Sequence, residues 1–164
     1  MNIFLEAHQE ILNRLMDAQV DFLLIGGYAV IYHGYQRTTG DMDLWLRPTN
    51  ENKDKVLVAL RKAGFDPADI NELGKMDFTK HLAFSAGEEP QKIDFVTYIN
   101  QVSFEAASKN KIVFKLEELE IPVININELI LSKMNTGRKK DEADVEELQR
   151  IINYNKEVDG GGSY

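Results

Sequence analysis

Asp41 and Asp43 stand at alternate positions in an apolar run ending at Leu46, with the pair Gly26 and Gly27 thirteen residues before them. Alternate residues of a strand share a face, so the two carboxylates can grip one divalent cation. Left alone they repel each other, and such a pair asks for a cation between them. Gly26 and Gly27 close a first apolar run, Val20 to Ile25, and open a helical pattern. With no side chain in the way, their backbone N–H groups can approach phosphate oxygens closely. A third acid, Asp94, interrupts the apolar run from Lys92 to Ile99, where a lone carboxylate facing a core is expensive unless paired. If that strand lies beside the one bearing Asp43, three carboxylates converge as in a two-metal phosphoryl-transfer site. One cation would then gather a triphosphate and the other would acidify an attacking hydroxyl. Asp94 is the best placed general base, or a shared metal ligand. An EF-hand does not fit, because Trp45 and Arg47 occupy places where that loop wants oxygen ligands and glycine. The bland alternative is a solvated strand edge bearing two acids.

Supporting groups are fewer. Arg37 precedes the aspartates, where its guanidinium could neutralise carboxylates or hold phosphate, or simply brace the strand. Arg138, Lys139 and Lys140 form a basic cluster in an acidic chain. They suit a triphosphate or an RNA acceptor, although a solvated turn paired with Asp141 and Asp144 explains them as well. Three scattered histidines without cysteine do not make a zinc site, and His81 and His33 read as structural. Tyr28, Tyr32 and Tyr35 fall at helical spacing and read as core and rim packing.

Those residues need elements to place them. Ile3 to Met16 repeats apolar residues at helical spacing; Val20 to Ile25 and Met42 to Leu46 read as buried strands flanking a short helix, Tyr28 to His33, closed by Gly34. Pro48 to Asn50 is a turn and N-cap for a helix from Asn52 to Ala63. Asp66 to Asp77 reads as a loop. His81 to Ser85 and Lys92 to Ile99 form a hairpin around Gly87 to Pro90. A short helix at Phe104 to Ser108 precedes strands at Lys111 to Leu116 and Ile121 to Ile126, then helices at Glu128 to Met134 and Asp141 to Tyr154. The expected fold class is α/β (α+β), a mixed sheet flanked by helices with a small helical C-terminal part. Residues 1–158 are expected as one domain and 159–164 as a flexible tail.

Bulk properties narrow the classes. At 164 residues, 43% hydrophobic and 28% charged, the chain can bury a sizeable core. No apolar run is long enough to span a membrane, and the N-terminus lacks a secretory pattern. The absence of cysteine fits a reducing, cytoplasmic setting. A net charge of −8 argues against constitutive DNA binding, while leaving room for one local basic patch.

Apolar-Gly-Gly, the thirteen-residue gap, Asp-Met-Asp-Leu and a distant Ile-Asp-Phe together resemble the signature of the DNA polymerase β-like nucleotidyltransferase superfamily. The run GGYAVIYHGYQRTTGDMDL looks like the branch of abortive-infection type IV toxin transferases, and Lys133 to Val145 resembles that branch's basic and acidic block. The likeness covers most of the chain, from Leu23 to Leu148. It implies Asp41, Asp43 and Asp94 as catalytic metal ligands for Mg²⁺ or Mn²⁺, with Gly26 and Gly27 as the phosphate cradle. Lys133 and Arg37 would join them in binding an NTP such as ATP. Many members have serine where this chain has Gly27, so backbone donors remain there. The implied reaction moves an NMP group from an NTP to an acceptor hydroxyl on RNA, protein or a small molecule, and the toxin likeness implies a possible antitoxin partner. About sixty residues follow Asp94 before the tail, which ranks an antibiotic acceptor of the aminoglycoside or lincosamide kind below RNA or protein. The rival from another class is a non-catalytic nucleotide-binding module of the same fold.

Overall fold

The structure, a computed structural model, describes residues 6–89 and 91–161. Six strands form one mixed sheet in the order β3-β4-β2-β1-β6-β5. They are β1 (Phe22–Ile25), β2 (Met42–Leu46), β3 (Ala83–Ala86), β4 (Ile93–Val96), β5 (Ile112–Leu116) and β6 (Leu119–Val123). β1 runs antiparallel to β2 and parallel to β6; β2 and β4 are parallel; β3–β4 and β5–β6 are antiparallel hairpins. The expected Gly87 turn joins β3 to β4, and Pro90 lies outside the described residues.

Helix α1 (Glu6–Asp17) buries His8, Ile11, Leu12 and Leu15, the spacing of one helical face. Its expected first residues, Ile3 to Leu5, lie outside the described residues. α1 packs against α3 (Asn50–Lys62). The Thr49 hydroxyl caps α3 by accepting from the Asn52 N–H at 3.1 Å. The buried Asn52 amide accepts from Asp21 N–H at 2.8 Å and donates to Asp21 C=O at 2.9 Å, lacing the start of α3 to the sheet. On the near side of the sheet Met42, Leu44, Phe84 and Phe95 join the core, with Phe84 stacked on Phe95 at 5.0 Å.

Helix α2 (Gly26–Tyr32) starts two residues before the expected Tyr28, at the glycine pair itself. α5 (Phe104–Lys109) and α6 (Ile126–Lys133) are capped by Ser103 and Asn125. The Asn125 cap is what ends β6 at Val123, short of the expected Ile126. The segment Asp66 to Asp77, expected as a loop, instead holds α4 (Pro67–Gly74). Asp66 accepts from Ala68 N–H, proline takes the first turn, and Ile70 and Leu73 are buried. Helix α7 (Lys139–Gly161) packs on α6 and continues three residues into the stretch expected as a tail. Among the described residues no helix is long and apolar enough to cross a membrane.

Candidate functional site

Register alone brings the three acids together. Asp43 lies beside Ile25 of β1 and beside Asp94 of β4, and Asp94 lies beside Ser85 of β3. Side chains in register on neighbouring strands point to the same face, so Asp43, Asp94 and Ser85 form a row. Asp41 flanks the row at the start of β2. The neighbours Met42 and Leu44 are fully buried, as the alternation predicts. Burial, then the charges of Asp94 and Asp41, push the Asp43 carboxyl up to about 6 from 3.8, against opposing pulls from Lys133 and Lys140.

A resident cation partly relieves this crowding. Lys92 Nζ lies 3.3 Å from Asp41 and 3.7 Å from each of Asp94 and Glu89. With Asp41 and Asp94 turned toward that ammonium, no three His, Asp or Glu side chains among the described residues form a ready-made metal cage. One oxygen of Asp41, Oδ1, is buried without a hydrogen-bond partner among the described residues. An unpartnered buried carboxylate oxygen beside a carboxyl of raised pKa fits a hard divalent cation. On the other flank Ser85 Oγ donates a short hydrogen bond to Asp94 Oδ1.

The glycines leave room that nothing larger could share. Gly26 has φ +68°, and a Cβ there would stand 2.2 Å from Asp43 Oδ2. A Cβ on Gly27 would stand 2.2 Å from Thr39 Oγ1 and 3.1 Å from the Arg37 guanidinium. A side chain at this position would have to displace Thr39, whose hydroxyl occupies that space. These groups wall a cavity of about 410 Å³ whose opposite side is formed by Lys133, Arg138 and Lys140.

Arg37 does not brace the aspartate strand. It reaches α7, with Nε 3.0 Å and Nη2 3.1 Å from the carboxylate of Asp144, which is 1% exposed. Lys133 lies 3.1 Å from the same carboxylate and 3.2 Å from Asp141. Asp141 and Asp144 thus take Lys133 and Arg37, rather than the basic turn expected to pair with them.

The remaining candidates fall outside the cavity. His33 bonds Ile124 C=O at 2.8 Å, and His81 stacks on Tyr98. Tyr28 is buried and Tyr32 packs edge-on against Phe114, as core and rim residues. His8 is fully buried beside Tyr28, and desolvation holds its imidazole below the ordinary range. A larger groove of about 500 Å³ lies between α3, α4 and β3, walled mainly by Leu60, Phe65, Ile70 and Phe84, away from the carboxylate row. Sequence reasoning missed Thr39, Ser85, Lys92 and Glu89 at the site. Lys92 was the most findable, since it precedes Asp94 by two positions and must share its face.

A family model described as "Nucleotidyl transferase of unknown function (DUF2204)" matches residues 4–160. The chain belongs to this nucleotidyltransferase family. Among solved structures it is similar to the lincosamide antibiotic adenylyltransferase LnuA, bound to lincomycin. That likeness has a TM-score of 0.53 at 18% identity and covers 92% of this chain and 99% of LnuA, so it speaks to the fold. No curated protein sequence matches the chain. The mixed sheet and its flanking helices are accordingly those of a nucleotidyltransferase.

Proposed function

We propose that this nucleotidyltransferase moves an NMP group from an NTP to an acceptor hydroxyl, using Asp41, Asp43 and Asp94 with Mg²⁺ or Mn²⁺. The observation that supports it most is the alignment of Asp43 with Asp94 on adjacent parallel strands, where burial and then the charges of Asp94 and Asp41 raise the Asp43 carboxyl. Asp41 and Asp43 would hold the cation together with phosphate oxygens, displacing the Lys92 ammonium. When bound, the divalent cation supplies charge neutralisation at the triphosphate and a more acidic acceptor hydroxyl. Gly26 and Gly27 let the phosphates lie against the backbone beside Arg37, and Lys133, Arg138 and Lys140 face them from the other wall. Asp94, steadied by Ser85, takes the hydroxyl proton. The hydroxyl oxygen bonds to the α-phosphorus as the bond to the bridging oxygen breaks, and the electron pair leaves with pyrophosphate.

The test is transfer of α-labelled NTP in the presence of Mg²⁺, comparing the natural chain with Asp41→Asn and Asp94→Asn. Loss of transfer by about 10³-fold or more in folded variants supports the assignment, whereas undiminished transfer in either refutes it.

A small-molecule acceptor gains support over an RNA- or protein-directed, toxin-like role. The short stretch of chain after Asp94 is compatible with such an acceptor. LnuA acts on a lincosamide and matches this fold along 99% of its length, so added acceptor structure is no requirement. The net charge of −8 also disfavours RNA as the acceptor.

A further inference from the structure

The face of the sheet that bears the carboxylates stays open over β3 and β4. Asp94 and Val96 of β4, and Tyr98 just beyond its end, fall at alternate positions. Ser85, Ala83 and His81 lie opposite them, since Thr97 N–H bonds Leu82 C=O and extends the hairpin. Ser85, Ala83 and His81 are exposed, and so is Tyr98. The two rows make a floor of small side chains that starts at Asp94 and ends at an aromatic pair. His81 and Tyr98 stack there with centroids 3.7 Å apart and planes inclined by 14°. At ordinary strand rise the floor is about 13 Å long.

At its far end lies a second cavity, of about 420 Å³, within the usual size range for a small-molecule pocket. Trp45, on the same face of β2 as Asp43, forms one wall with Phe104 edge-on against it at 5.1 Å. Arg47 lies 4.9 Å over the Phe104 ring and pairs with Glu105 and Asp21, which fixes that wall. Trp45 is 1% exposed, yet its Nε1–H finds no hydrogen-bond partner among the described residues. A buried donor without an acceptor is costly, and this one belongs to a residue of the cavity wall. No carboxylate lines this cavity; its ionisable groups are Lys80, His81 and Tyr98. A polycation would meet no counter-charge there.

We infer that the acceptor is a small ring-bearing hydroxyl compound with at most one positive charge. It lies along the open β3–β4 face with its hydroxyl at Asp94 and its ring against the Trp45, His81 and Tyr98 walls. The inference rests on the nucleotidyl-transfer reading and uses the same balanced step. His81, Tyr98 and Trp45 are specificity residues and touch neither the triphosphate nor the cation.

The experiment incubates the protein with each α-labelled NTP, Mg²⁺ and a cell extract split by ultrafiltration. Label is expected in the small-molecule fraction, on a compound that releases a ring-bearing, non-polycationic alcohol after phosphodiesterase treatment. Tyr98→Ala should raise the KM for that acceptor about tenfold or more and leave the KM for NTP unchanged. As a readout without turnover, phenyl β-D-glucoside should shift the emission of Trp45, the sole tryptophan, and spermine should not. Label on RNA or protein, label on a polycation, an unchanged acceptor KM in Tyr98→Ala, or no response of Trp45 to the glucoside overturns the inference while transfer itself stands. Absence of both label and Mg²⁺-dependent NTP binding overturns the nucleotidyl-transfer reading with it.

Discussion

Replacing Asp43 by asparagine should make the cation-free protein more stable. Asn keeps the shape of the side chain and removes one of three crowded charges. The folded-state pKa of about 6 lies above the unfolded value of 3.8, so ionised Asp43 weakens the fold. That penalty is absent below about pH 4, grows between about pH 4 and about pH 6, and is complete above it. A carboxyl moved that far carries about 3 kcal/mol at neutral pH, and some of it returns when the freed carboxamide leaves its own polar atoms unpaired. The net expectation is a gain of about 1–3 kcal/mol. With a urea slope of about 2 kcal/mol/M, this is a midpoint shift of about 0.5–1.5 M. Equilibrium urea unfolding in EDTA, for both chains at about pH 7.5 and about pH 4, reads it directly. The gain should appear at the higher pH, vanish at the lower, and be reversed by Mg²⁺ with NTP, which stabilises only the natural chain. An Asp43→Asn variant no more stable than the natural chain at neutral pH would refute the claim that the row is under electrostatic strain.

The ion network around Asp144, the glycine pair and Lys92 each give a further outcome. Asp144→Ala leaves Arg37 and Lys133, each 12% exposed, without their shared carboxylate, and should lose about 3–5 kcal/mol in urea unfolding. A loss under about 1 kcal/mol would mean the ion network is not structural. Gly26→Ala places a Cβ 2.2 Å from Asp43 Oδ2 at a positive φ, so Mn²⁺ binding by calorimetry should be abolished; unaltered binding contradicts the close approach. Lys92→Met removes the ammonium between Asp41 and Asp94, and free-Mn²⁺ measurement by electron paramagnetic resonance should show tighter binding; weaker binding would show that Lys92 supports the cation rather than competing with it.

The carboxylate row was legible because it depends on two periodicities, alternation along β2 and β4 and the pairing of adjacent strands, both of which leave marks in the apolar pattern. α4 was missed because its signal is local chemistry, an Asp-Pro cap and two buried apolar residues, too short for a periodic pattern to stand out. Arg37 illustrates a different limit. Its partner Asp144 is more than one hundred positions away, and nothing in either segment encodes that meeting. The Thr39 hydroxyl against Gly27 was equally hidden, since steric exclusion needs coordinates.

The two arms of the site therefore have different origins. The carboxylates belong to the sheet and are placed by hydrogen-bonded register, which tolerates little movement. The cations belong to the segment before β2, to α6 and to the start of α7, and Arg37 and Lys133 among them are held by ion pairs to Asp141 and Asp144. A triphosphate entering the cavity would compete with those two acids for Arg37 and Lys133, while Arg138 and Lys140 form the rest of that wall. Binding would then exchange carboxylate partners for phosphate oxygens on the cationic arm and leave the carboxylate arm in place. An acidic chain with a net charge of −8 gains selectivity from this arrangement. Its field repels polyanions at large, and only a ligand short enough to lie between the carboxylate row and the cation wall meets compensating charge on both sides.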